Sequence, residues 1–139
     1  MIFGRMTLGL LCAFCLTAEA RAAALLEETL RNGHVALHLT GRIDSKDAAA
    51  FADAVGKLMA AGKRVDVVSL NSTGGQLGEG ALIAAAIKAW RLATRVEDGA
   101  VCASACFLAF AAGEPRTAHP NAYIGVPASS KACRDRAAT

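Results

Sequence analysis

The chain has 139 residues, of which 54% are hydrophobic and 19% are charged, and its formal net charge is +3. This length suits one domain and the composition is that of a globular protein, which argues against a two-domain chain and against disorder. The positive charge is too small and too dispersed to predict a nucleic-acid partner.

The N-terminal segment, residues 1–22, is predicted to be a signal peptide. Arg5 is followed by an uncharged apolar run from Met6 to Leu16, and alternating alanines after this run offer small-residue cleavage sites. We therefore expect a mature chain that begins near Ala23 and is periplasmic or secreted. An uncleaved membrane anchor is the alternative. No later apolar run approaches the about 20 residues that span a bilayer, so no membrane contact is expected after cleavage.

Export would leave three cysteines in an oxidising compartment. The sequence has five, and removal of Cys12 and Cys15 with the signal peptide leaves Cys102, Cys106 and Cys133. A four-residue spacing on a helix would bring Cys102 and Cys106 about 6 Å apart at the backbone, within reach of a disulfide. A bridge between them and free thiols are both open. No metal is expected, because no second cysteine and histidine pair stands at zinc spacing.

The first half of the mature chain predicts a β-α-β unit. Alternating apolar side chains over His34–Thr40 indicate a half-buried strand. Asp44 or Ser45 can cap the helix that follows, and Gly62 is a natural end for it. The short apolar run at 65–70 is typical of a strand covered on both faces.

The second half repeats this alternation of strands and helices, which indicates an α/β fold. The predicted elements are a turn at 71–75, a helix at 77–93, a brief strand at 94–96, a buried helix at 104–112, a loop at 113–120 and a last strand at 122–126.

Two turns carry residues suited to acyl chemistry. Gly74 and Gly75 permit positive φ and leave their backbone N–H groups unobstructed, as an oxyanion site requires. Ser104 is predicted at the start of a helix, where free N–H groups and the helix dipole favour negative charge. A hydroxyl there could attack a carbonyl. The alternative for Ser104 is a helix cap without a catalytic role.

Four short motifs follow one another along the chain: Leu70-Asn71-Ser72-Thr73-Gly74-Gly75, Glu79-Gly80, Cys102-Ala103-Ser104-Ala105-Cys106, and Ala112-Gly113 through Arg116. Together they resemble exported Clp-protease-like proteins of the Clp/crotonase superfamily. The resemblance implies a spiral of β-β-α units, a nucleophile at Ser104, and backbone oxyanion donors at Gly74 or Gly75 and at Ala105. It also implies a peptide or protein substrate, no cofactor, and self-assembly into rings of identical subunits.

Two positions depart from the pattern of that superfamily. Thr73 stands where the family's turn has a proline, which is a mild change. Pro127 stands at the strand end where the resemblance places the catalytic histidine, and the expected acid would lie further downstream than the twelve residues that follow. A serine without an adjacent base is a poor nucleophile at neutral pH. These departures predict an incomplete or inactive serine peptidase.

The other candidate bases are expected to have ordinary polar roles. His34 and His38 lie on the polar side of the first predicted strand, and His119 lies in the predicted loop before the last one. Lys131, which could form a serine–lysine dyad, lies in a tail of unknown position.

The predicted organisation is a signal peptide at 1–22, a Clp/crotonase-like α/β domain at 23–126 and an irregular tail at 127–139, which suggests a truncation or a changed reading frame. Two other functions remain open. One is a non-catalytic peptide-binding or scaffold module of the same fold. The other is a crotonase-like acyl-thioester enzyme, in which the same amides would stabilise an enolate.

Overall fold

The computed structural model describes residues 23–127. The predicted signal peptide and all but the first residue of the predicted tail lie outside the described residues. The elements, in chain order, are β1 (Ala24–Thr29), β2 (Val35–Thr40), α1 (Asp47–Ala60), β3 (Val65–Asn71), α2 (Leu77–Ala89), β4 (Ala93–Val96), β5 (Val101–Ala103), α3 (Ala105–Ala112), β6 (Arg116–Ala118) and β7 (Tyr123–Gly125).

The strands form two sheets that repeat a β-β-α pattern. A five-stranded sheet has the order β1-β2-β3-β4-β6, and a two-stranded sheet pairs β5 with β7. β1 runs antiparallel to β2, and every other pairing is parallel. β5 and β7 each follow a strand of the large sheet but pair with one another in the small one, and α3 returns the chain after β5. The predicted α/β class and the predicted β-β-α spiral are confirmed.

The core lies between the five-stranded sheet and the three helices. It is aliphatic apart from Phe51, Cys102 and Cys106, as expected from an aromatic content of only 5%. Burial of each large aliphatic side chain contributes about 1.5–3 kcal/mol, so this one cluster provides most of the driving force for folding. Its largest fully buried members are Phe51, Leu37, Leu39, Ile43, Leu70, Ile83, Ile87, Val35, Val55, Val68 and Val96.

The start of α1 differs from the prediction that Asp44 or Ser45 caps it. Lys46 occupies the N-cap position with a φ of 75° and makes no side-chain capping bond. The carboxylate of Glu79, on α2, instead accepts the N–H of Ala48 at 2.9 Å. A long-range contact between helices has replaced the local cap, which sequence spacing alone could not reveal.

One other boundary and three strands differ from the predictions. α2 ends at Ala89 rather than at Ala93, and Arg91 turns the chain with a φ of 54°. The segment predicted to be a loop at 113–120 contains β6, which pairs with β4. Every residue of β6 is exposed, so it lacks the alternation of apolar residues that reveals a half-buried strand. β1 and the three-residue β5 were not predicted for a similar reason, since β1 is almost wholly exposed and β5 is short.

Candidate active site at the Ser104 turn

Pairing between strands brings the double-glycine turn against Ser104. Ser72, just after β3, forms a parallel bridge with Cys102 of β5. The Ser72 N–H donates to the carbonyl of Val101 at 2.7 Å, and the Ala103 N–H donates to the carbonyl of Ser72 at 3.0 Å. In this register the residues two positions further on, Gly74 and Ser104, are neighbours.

Gly74 has no room for a side chain. A Cβ atom at this position would lie 2.7 Å from the Cβ of Ser104 and 2.9 Å from the backbone nitrogen of Ala105. Real Cβ atoms do not approach other atoms this closely, so glycine is required for the contact as well as for its φ of 95°. The turn after β3 and the serine turn therefore form one continuous backbone surface.

Ser104 links β5 to α3 in a backbone conformation that residues other than glycine rarely adopt. Its φ and ψ are 54° and −121°. Such a conformation costs about 1–3 kcal/mol and persists where surrounding bonds impose it. Here the Ser104 N–H donates to the carbonyl of Gly125 at 2.9 Å, and its carbonyl accepts the N–H of Phe107 at 3.0 Å. The half-buried side chain makes no capping hydrogen bond, so Ser104 holds the N-cap position without capping the helix.

The backbone amides around Ser104 are not equivalent. The N–H of Gly74 donates to the Oγ of Ser72, which is buried, at 3.0 Å, and this bond occupies it. Within residues 23–127 the N–H groups of Gly75 and Ala105 have no hydrogen-bond acceptor. Of the glycines predicted as oxyanion donors, Gly75 is thus the available one. Gly75 must also be glycine, because a Cβ there would collide with the backbone of Ile43.

Ser72 is a site residue that the sequence reasoning did not single out. It is 2% exposed, it pairs β3 with β5, and its hydroxyl fixes the orientation of the Gly74 peptide. Its position in the Asn71–Gly75 turn was the available signal, because serine often bonds to the backbone two residues on.

No described histidine hydrogen-bonds to Ser104, and each one pairs with a carboxylate elsewhere. The hydrogen bond from His34 is the largest cause that lowers the pKa of Asp66 below its ordinary value. The three pairs are His34 with Asp66 at 2.8 Å, His38 with Glu28 at 2.8 Å, and His119 with Asp98 at 3.2 Å.

The end of β7 lies at the Ser104 turn. Gly125, the last residue of β7, pairs with Ala103 and accepts the Ser104 N–H. Pro127 follows two residues later. This is the direction from which a strand-end residue would approach the serine, and a proline side chain can neither accept a proton nor donate a hydrogen bond.

Cys102 and Cys106 are joined by a disulfide that encloses Ser104 in a short ring. Their Cα atoms are 5.2 Å apart, and both residues are fully buried. The expectation that both lie on one helix was wrong, since Cys102 belongs to β5 and Cys106 to α3. The sharp turn at Ser104 brings them together instead.

Other binding features among the described residues lie away from Ser104. Two hollows of about 220 and 480 Å³ share Glu97 and Asp98 and have no lining residue from the Ser104 turn. Residues 23–127 contain no group of three side chains suited to hold a metal ion. None of the helices in this part of the chain is long and apolar enough to cross a membrane.

Comparisons with known proteins identify the fold. No protein-family model matches the chain, and neither does any curated protein. A ClpP1 mutant from Listeria monocytogenes is similar in structure, with a TM-score of 0.56 and 22% identity over 73% of this chain and 61% of the other. A mutant of a membrane-bound stomatin-specific protease gives 0.54 and 17% over 64% and 44%.

A third solved structure, the β subunit of geranyl-CoA carboxylase from P. aeruginosa, gives a TM-score of 0.57 and 14% identity over 82% of this chain and 25% of the other. The chain thus spans from a quarter to about three fifths of the length of these three structures. The chain has the Clp/crotonase fold.

Proposed function

We propose that this chain is an exported protein with a serine-peptidase-type acyl site, formed by the hydroxyl of Ser104 and the amides of Gly75 and Ala105. We further propose that the site binds the carbonyl group of a peptide and lacks the base needed for efficient hydrolysis. The contact of Gly74 with Ser104, beside two amides without acceptors, is the observation that supports this function.

The proposed chemistry follows from the types of group in the site. Two N–H groups that point at one oxygen stabilise the negative charge that develops when a carbonyl is attacked. Attack by Ser104 also requires removal of its proton, and no base hydrogen-bonds to its hydroxyl within residues 23–127. Loss of triad members reduces the rate by several powers of ten. Acyl binding with little turnover is the expected behaviour.

An active-site label tests this proposal. A fluorophosphonate transfers its phosphonyl group to an activated serine hydroxyl and releases fluoride, with the hydroxyl proton passing to solvent. We expect no labelling of the full chain at neutral pH by intact mass spectrometry, and the same result for Ser104→Ala. Labelling that Ser104→Ala abolishes would show that a base outside the described residues completes the site.

Two alternatives of different classes are separated by binding experiments. A peptide-binding or scaffold module would bind casein-derived peptides equally well after Ser104→Ala, whereas our proposal expects weaker binding. A thioester enzyme is the second alternative, and it is suggested by the similarity in fold to geranyl-CoA carboxylase. Calorimetric titration with butyryl-CoA should show binding if that alternative is right and none if the peptide carbonyl is the ligand.

Export and self-assembly are further parts of the proposal. N-terminal sequencing of chain recovered from the periplasm should start near Ala23 if residues 1–22 are removed as a signal peptide. Light scattering should give a mass of several chains if subunits assemble as the Clp resemblance implies, and a mass of one chain would remove that part.

A further inference from the structure

The disulfide between Cys102 and Cys106 closes a ring whose enclosed residues are Ala103, Ser104 and Ala105. Two of these three residues belong to the candidate site, because Ser104 carries the hydroxyl and Ala105 carries one of the two unoccupied amides. The disulfide is therefore part of the same short turn that holds the reacting groups.

Hydrogen bonds alone hold the two ends of this ring unequally. On the β5 side, the N–H groups of Ala103 and Ser104 are bonded to Ser72 and Gly125. On the α3 side, the amide of Ala105 has no acceptor within residues 23–127, and the Phe107 N–H bond to Ser104 is itself local to the turn. The sulfur bridge through Cys106 is a covalent cross-link, additional to the backbone, that ties the Ala105 side to β5.

The bridge also excludes a straightened turn. Four residues of extended strand would separate the Cα atoms of Cys102 and Cys106 by about 13 Å. The observed separation is 5.2 Å, and a disulfide tolerates at most about 7 Å. With the bond intact, the Ser104 segment cannot relax from its unusual φ into an ordinary extended conformation.

We propose that the Cys102–Cys106 disulfide is the positioning element of the Ser104 site. In its oxidised form it holds the Ser104 hydroxyl and the Ala105 amide against Gly74 of the double-glycine turn, and the reduced chain keeps its fold but loses this arrangement. The catalytic meaning of this arrangement rests on the proposed function, whereas the restraint of the turn by the disulfide does not. Formation of the bond requires a disulfide-bearing oxidant, which accepts two electrons and two protons from the thiols as it becomes two thiols.

Burial of both cysteines sets the order of events. Thiol exchange requires access to the sulfur atoms, and both residues are 0% exposed in the folded protein. The bond must therefore form before the turn closes, in a compartment that oxidises thiols. Assembly of the site would then be coupled to export.

The test compares the oxidised full chain with Cys102→Ala/Cys106→Ala, and uses Cys133→Ala as the matched control. Amide hydrogen exchange measured by NMR tests whether the disulfide holds the turn, independently of any function. We expect exchange at Ala103, Ser104 and Phe107, whose N–H groups are hydrogen-bonded, to be at least about tenfold faster in the double variant, with Leu37 and Val68 in the core unchanged. Equal exchange in the oxidised chain and the double variant would overturn the proposal.

A second measurement addresses the site itself. Phenylboronic acid forms a bond from boron to a serine oxygen, releases the hydroxyl proton to solvent, and becomes tetrahedral, which boron NMR detects. We expect a tetrahedral signal that Ser104→Ala abolishes and binding at least about tenfold weaker in the double variant. If the oxidised chain gives no such signal, the proposed acyl site is wrong. Hydrogen exchange alone then tests whether the disulfide positions the Ser104 turn.

Loss of folding is also decisive. If the double variant does not fold, the chain refolded in dithiothreitol replaces it, since its cysteine side chains are complete. If that reduced chain also fails to fold, the disulfide supports the whole domain and the positioning role is wrong.

Discussion

Replacement of Gly80 by alanine tests the close packing between α2 and the residue that carries one of the two site amides. Gly80 is buried on α2, and a Cβ there would lie 2.5 Å from the carbonyl oxygen and 2.9 Å from the Cβ of Ala105. The obstructing atoms belong to the backbone and to a methyl group, so no rotamer change can make room. α3 must move away from α2.

Two opposing effects set the magnitude. Alanine gains about 0.5–1 kcal/mol over glycine inside a helix. Forcing an extra methyl group into a packed core costs about 1–3 kcal/mol. Gly78 provides a matched control, because it lies on the same helix and a Cβ there meets nothing within 4 Å. Gly78→Ala, at the second residue of α2, should therefore stabilise the protein by at most about 0.5–1 kcal/mol, and Gly80→Ala should be about 1–3 kcal/mol less stable than Gly78→Ala.

Urea denaturation followed by circular dichroism measures both free energies of unfolding. Equal stability of the two alanine variants would refute the reasoning, because it would mean that α3 yields at no cost. Because the displaced group is Ala105, Gly80→Ala should also weaken the binding of any ligand that depends on the Ala105 amide.

Three further changes have defined outcomes. Ser72→Ala leaves the buried N–H of Gly74 without its acceptor and should cost about 1–3 kcal/mol in urea denaturation, while a neutral result would mean that water replaces the hydroxyl. Thr94→Val removes the hydroxyl that donates to the carbonyl of Phe110 at 2.8 Å. Because that carbonyl also accepts the N–H of Gly113, we expect the free energy of unfolding to fall by only about 1 kcal/mol, and a fall above about 3 kcal/mol would contradict this. The lowered pKa of Asp66 stabilises the folded state at pH values above the ordinary pKa of 3.8, and this contribution disappears as the pH falls through the lower folded value. Asp66→Asn should therefore reduce the loss of stability at acidic pH when the free energy of unfolding is measured against pH. An unchanged loss at acidic pH would argue against the His34 contact.

The elements with strong hydrophobic patterns were predicted closely from the sequence. β2 begins one residue later than predicted, and β3 extends one residue further. Both strands are buried, so their apolar residues are dictated by the core and visible in the sequence. β6 carries no such pattern, because an exposed edge strand is defined by its pairing with β4 rather than by its side chains.

The candidate site was predictable in its parts. Gly74, Gly75 and Ser104 stand in motifs that resemble the Clp/crotonase superfamily, and the fold of that superfamily is observed. The spacing of Cys102 and Cys106 brought a disulfide into consideration, but on the assumption of a helix. A helix and a strand–turn–helix can bring residues four apart to a similar distance, so spacing alone could not separate them.

The sequence by itself determined the α/β class, the aliphatic core and the turns where acyl chemistry could occur, because periodicity and glycine placement are local properties. Only the tertiary structure decided which amide is available. Gly74 and Gly75 are adjacent and chemically identical, yet the Gly74 N–H is bonded to Ser72 and the Gly75 N–H is not. A backbone donor becomes a binding group only when folding leaves it without a partner, and that depends on which strand ends meet in space.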